Sequence, residues 1–215
     1  MSQTVSLLAT RVADLLRSTP CQKVDFWLGG LHVSGAGFTA IAHLISNAGT
    51  TGQGVTVAVG DITQNAEASY DQTTNTILVP NLDYAKTDAF QRVAVVHEAV
   101  HALRDSHGAV LSYRGRPYRP RAATDEAAAY LAGCLFDVFE QREKGEVSPS
   151  PAWLAARKAP IHAVAYGVAL KQAARPAGSA VERSDLSILV TSIRTSMRAL
   201  SIELPRYYDF DGVPR

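Results

Sequence analysis

Cysteine is nearly absent from this chain: Cys21 and Cys134 are the only two in 215 residues. They lie far apart and form no C-x-x-C pair, which argues against a disulfide framework. It fits a reducing compartment or two buried thiols. An excess of charge is lacking too. Twenty-one basic and 20 acidic side chains leave a formal charge of +1, too little to steer nucleic acid or to draw the chain to a membrane surface. No apolar run approaches the length of a membrane span. The N-terminal stretch MSQTVSLLATRVADLL has no basic segment leading into an apolar core. No signal peptide is therefore expected, and the expected location is cytoplasmic, although a dedicated secretion system would leave no mark here. The sequence carries neither an internal repeat nor a low-complexity segment.

What is there reads as an ordinary globular chain, 47% apolar and 19% charged, long enough for a sizeable core in one domain. Apolar residues at Val5, Leu8, Val12, Leu15 and Leu16 describe an amphipathic helix over 4–18, ended by Pro20. Residues 24–33 suit a strand interrupted by Gly29 and Gly30. A short helix over 38–45, closed by Asn47 and Gly49, precedes a β-branched strand at 55–59. Strands at 66–70 and 76–79 flank the turn DQTTN as a hairpin. Further helices are expected at 124–142, with Thr124 as N-cap, at 151–174 with a break at Pro160, and at 183–200. The tail PRYYDFDGVPR reads as irregular. Strands first and helices after predict an α+β fold. About 1–85 form an N-terminal part with a small mixed sheet, about 86–145 the helices with the chemistry, and about 146–215 a C-terminal helical part.

The chemistry centres on residues 87–105, TDAFQRVAVVHEAVHALRD. Asp88 suits an N-cap, and apolar residues recur at 93, 96, 100 and 103. At about 100° per residue, His97 and His101 stand only about 40° apart, with Glu98 about 60° beyond His101. Every other residue between Val93 and Leu103 is Val, Ala or Leu, the mark of a buried helix. Two imidazoles and a carboxylate on a buried arc need partners, because unpaired burial costs several kcal/mol. HEAVH fits H-E-x-x-H, in which two His at i and i+4 converge on one zinc and the Glu stands beside it.

Through HEAVH the chain resembles the zincin metallopeptidases, with looser similarity from about residue 55 to 140. The resemblance implies a zincin-like α+β fold, bound Zn2+, and hydrolysis of a protein or peptide substrate. Glu98 would act as general base toward a zinc-activated water. A third ligand is then required. Glu126 heads a face that also carries Tyr130, Gly133 and Asp137 on the helix 124–142, and the small Ala127–Ala129 run lets that helix approach closely. His107, six residues after His101, is the alternative. It has metzincin spacing, but Arg104 stands where that group has Gly, and Met197 sits in a helical segment rather than a Met-turn. The preferred set is His97, His101 and Glu126, a gluzincin-like arrangement. Similarity to gluzincins of the thermolysin type makes His162 a candidate stabiliser of the oxyanion. It also makes 76–79 the candidate sheet edge for an extended substrate.

Other residues read as structural: Asp125 as a capping acid or a hydrogen-bond partner of a ligand His, Tyr130 as a packed tyrosine, and His32 and His43 likewise, while Tyr166 shares a helix face with His162. The link 107–123, with SYRGRPYRPR, joins the two ligand helices and is expected to edge the cleft and favour acidic groups. Two rival readings remain. In one, the metal is structural, closed by a fourth ligand from His107 or Asp125, in a regulatory or interaction protein. In the other, LHVSGAGFTA with Gly35, Gly37 and the later Asp61 imitates a dinucleotide fingerprint.

Overall fold

The computed structural model describes residues 3–51, 53–62, 67–85, 88–108, 111–113, 116–146, 160–210 and 212–213. The order is α1 (Gln3–Arg17), α2 (Thr19–Lys23), β1 (Asp25–Leu28), β2 (Leu31–Ser34), α3 (Gly35–Thr51), β3 (Thr56–Val59), β4 (Ser69–Asp71), β5 (Thr76–Val79), α4 (Ala89–Ser106), β6 (Leu111–Tyr113), β7 (Arg116–Tyr118), α5 (Ala122–Lys144), α6 (Pro160–Gln172), β8 (Ser179–Ala180) and α7 (Arg183–Ala199). The chain is mixed α+β. Among the described residues no helix is long and apolar enough to cross a membrane.

The strands form two small three-stranded sheets and a separate hairpin. Gly29 and Gly30, at φ 57° and 85°, make the tight turn of an antiparallel β1–β2 hairpin, since positive φ at both turn positions matches the strand twist. What looked like one interrupted strand is therefore two. β8 pairs parallel to β1, so the C-terminal part contributes to the N-terminal sheet. In the second sheet the order is β3–β5–β4. The Asp71 carboxylate accepts from the Thr73 and Thr74 N–H groups and sets the DQTTN turn. β5 is thus central, and the expected open edge at 76–79 is occupied on both sides. The edge on the β4 side belongs to Ser69–Asp71.

Several boundaries differ from expectation. Pro20 does not end the first helical region but lies in the first turn of α2, where its missing N–H costs nothing. α3 runs to Thr51, through Asn47 and Gly49, because its apolar face packs on α1. Thr124 lies inside α5. Its N-cap is Arg121, which makes no side-chain cap bond. The link carries its own β6–β7 hairpin. The expected helix from 151 falls outside the described residues up to 159, and α6 begins at Pro160.

α4 and α5 form the centre. Asp88 caps α4 by accepting from the Phe90 and Gln91 N–H groups, and the helix is buried continuously from Glu98 to Asp105. α5 approaches it closely at Gly133, where a Cβ would stand 3.1 Å from the Val93 carbonyl oxygen.

Candidate metal centre

One turn of α4 and the first turns of α5 face each other, and their polar groups meet at a point. His97 Nε2 and His101 Nε2 are 3.3 Å apart. Glu126 Oε2 is 3.3 Å from the first, and its Oε1 is 3.4 Å from the second. All three ligand atoms lie within 4.8 Å of one another. Zinc–ligand bonds of about 2.0–2.1 Å at tetrahedral angles place neighbouring ligand atoms about 3.3 Å apart. The His97–His101 separation and each histidine's approach to a Glu126 oxygen are close to that spacing, the two approaches being to different oxygens of the carboxylate. Two imidazole nitrogens aimed at each other across a largely buried space also lack protons for all three edges, which a cation would relieve. The donor set fits zinc, and Glu126, not His107, completes it. His107 caps the C-terminus of α4 and is exposed, because the helix runs on through Arg104 without the turn that would bring it inward.

The electrostatics sort these groups. Burial pushes Glu126 upward, but His101, the hydrogen bond from His97 and that from Tyr208 outweigh it and hold the carboxyl down at about 2. Burial drives His101 down to about 4 against the pull of Glu126, so its ring is neutral and its lone pair available. Burial also opposes charge on His97, yet its bond to Glu126 and the charges of Glu98 and Glu126 raise it overall. Glu98 lies beside the triangle, 3.9 Å from His97 Nε2. Burial lifts it to about 7, with His97 pulling down and Glu126 pushing further up, while the Tyr70 N–H of β4 bonds to it. A carboxyl near neutrality beside a candidate metal is suited to take up and release a proton.

These groups open into a cleft of about 360 Å³. Tyr130 packs edge-on against His97 at 4.6 Å between centroids, and His162 of α6 packs on Tyr130 at 5.4 Å. His162 thus reaches the cleft, while Tyr166 turns into the core and donates to Asp137. Asp125 forms no hydrogen bond or ion pair with His97 or His101 among the described residues. It pairs with the buried Arg104, Nε to Oδ1 at 3.3 Å, and burial lifts it to about 7 against the pull of that guanidinium. Neither proposed fourth ligand, His107 or Asp125, joins the cluster among the described residues. His32 pairs with Asp25 and stacks on Trp27, and His43 is exposed.

The tail is where sequence reasoning failed. Tyr208 donates a hydrogen bond to Glu126 Oε1, and its ring packs edge-on to His101 at 5.7 Å. Phe210 lies under the Arg104 guanidinium. Asp105 accepts from the Gly212 N–H and from Tyr70 Oη, tying the tail and β4 to the end of α4. Arg119 of the link holds the Tyr208 carbonyl and Asp209. The available signal was three aromatics within four residues of an otherwise polar stretch, YYDF, which argues for burial.

The dinucleotide fingerprint is dispersed by the fold. β2 and β3 belong to different sheets, so no parallel βαβ unit exists there. Gly35 is needed because a Cβ would stand 2.6 Å from Gln22 Cα, and Gly37 because it meets Leu103.

Comparisons with protein-family models, with curated proteins and with solved structures find no match to this chain.

Proposed function

We propose that this chain is a zinc-dependent metallopeptidase of gluzincin-like arrangement and zincin-like fold. The convergence of His97, His101 and Glu126 on one point, with Glu98 beside it in an open cleft, is the observation that carries this reading. When bound, zinc supplies Lewis acidity, lowering the pKa of water and polarising a carbonyl oxygen. His101 binds through a neutral ring, and Glu126 neutralises charge while Tyr208 fixes its orientation. Glu98, lifted to about 7, takes the proton of the attacking water and passes it to the departing amine. The Tyr70 N–H holds that carboxyl in place from β4. His162 stands one aromatic ring away from His97, as an oxyanion partner that Tyr130 positions. The substrate class is protein or peptide.

Metal content of purified variants tests the ligand set. Zinc should fall to background in His97→Ala, His101→Ala and Glu126→Ala and stay near one per chain in His107→Ala. Retention in Glu126→Ala with loss in His107→Ala would reverse the assignment.

The Tyr208–Glu126 contact favours one second reading, a structural metal closed by the phenol. X-ray absorption of the zinc-loaded protein separates them. A first shell unchanged by Tyr208→Phe supports the catalytic reading, and loss of one oxygen supports the structural one.

A further inference from the structure

A second cavity, of about 710 Å³, adjoins the cleft. Four arginines line it: Arg121 at the N-cap of α5, Arg194 and Arg198 one turn apart on α7, and Arg206 in the tail. Among the described residues none of these four guanidiniums forms an ion pair, and the only acid lining the cavity is Glu203. Elsewhere several exposed cations have an acidic partner: Lys23 with Glu143, Lys171 with Asp185 and Arg175 with Glu182. Four like charges around one concavity repel one another. The N-terminal dipole of α5, which Arg121 leaves without a side-chain cap, adds positive potential.

Met197 and Ile202 line both this cavity and the cleft of the candidate metal centre. The two spaces share a wall, which places the arginines next to the cleft that holds the His97–His101–Glu126 cluster. We infer that the arginine cavity is a substrate subsite that takes acidic side chains of a peptide whose scissile bond lies at the metal centre. The preferred substrate is therefore an acidic segment of a protein. This inference rests on the peptidase reading. Nucleic acid fits less well. Net charge is only +1, so the positive field is local, and the described residues lining the cavity include no aromatic on which bases stack.

Binding tests this independently of hydrolysis. Two fluorescein-labelled peptides of identical length are titrated by anisotropy into metal-free full-length chain, one with four Glu beside an apolar residue, the other with four Gln. The Glu peptide should bind at least about tenfold tighter at low salt, and the advantage should shrink at 150 mM, as for exposed charges. Arg194→Gln combined with Arg198→Gln should cost about fivefold for the Glu peptide and nothing for the Gln peptide. Arg183→Gln, an exposed arginine at the start of α7 outside the cavity, should change neither. Circular dichroism melts of each variant keep misfolding from imitating the loss. Equal binding of the two peptides would overturn the inference, as would a double variant that melts normally and binds the Glu peptide as tightly as wild type. A 15-nucleotide oligo-dT binding more tightly than the Glu peptide would overturn it in favour of nucleic acid. If hydrolysis is never found but the Glu preference holds, the peptidase reading fails and the acidic subsite stands. Hydrolysis without charge preference gives the reverse.

Discussion

The Tyr208 hydroxyl donates to Glu126 Oε1 across 82 positions of sequence, so the C-terminal segment touches the His97–His101–Glu126 cluster directly. Glu126 is 7% exposed, and a buried carboxylate that loses a donor is costly. Tyr208→Phe should lower the stability of the metal-free protein by about 1.5–3 kcal/mol, the range for hydrogen bonds to charged groups. Urea denaturation in chelator measures it. Unchanged stability would mean that the contact does not hold the tail.

Metal removal should be visible in the same way. Without an ion, Glu98 and Glu126 share a space that burial has largely dried, and their mutual repulsion is part of what lifts Glu98. A ligand bound only by the folded state stabilises it by mass action. Chelation of protein shown to hold zinc should therefore lower the melting temperature by several degrees, with the chain remaining folded below it. An unchanged melting temperature would contradict a metal that joins α4 to α5.

The legible parts of this molecule were those written in local periodicity. HEAVH on an apolar helix gave His97, Glu98 and His101, and the small-residue face of α5 gave Glu126. Both depend on spacings of three and four residues. The sheet order was not legible, because β8 is two residues long and β5 becomes central only when β3 arrives from 20 residues upstream. Tyr208 escaped for a related reason. Irregular backbone has no period, and its packing is settled by Asp105, Arg104 and Arg119, which belong to other elements.

Gly35 offers a check on the discarded nucleotide reading. A Cβ there would overlap Gln22 backbone at 2.6 Å, and that backbone cannot rotate away as a side chain would. Gly35→Ala should destabilise by about 1–3 kcal/mol through overpacking, while zinc content stays at wild-type level. A well-folded variant with wild-type stability would show that α2 and α3 are less closely packed than described.

Asp137 gives a pH dependence away from the metal ligands. Burial raises its pKa above the usual aspartate value. The bonds from Tyr166 and Gln141 oppose this, Glu140 adds to it and Lys144 subtracts. A raised folded-state pKa contributes stability below the unfolded value of about 3.9 and loses it as pH rises through the folded value. Asp137→Asn keeps an acceptor for Tyr166 and carries no charge. The stability of the variant relative to wild type should therefore climb from pH 3.5 to pH 7. Melting temperatures across that range check it, and a flat or falling difference would contradict the assignment.

On the proposed reading, Glu98 works as a base beside a metal held by His97, His101 and Glu126. Glu98→Gln keeps the size of the side chain and an acceptor for the Tyr70 N–H while removing the basic carboxylate. The decisive measurement is zinc content together with hydrolysis of a proteome-derived peptide mixture by wild type and this variant. Retained zinc with hydrolysis reduced at least about 100-fold is the predicted result, in line with the usual contribution of a general base. Retained zinc with undiminished hydrolysis, or a zinc-loaded wild type that cleaves nothing in the mixture, would contradict it.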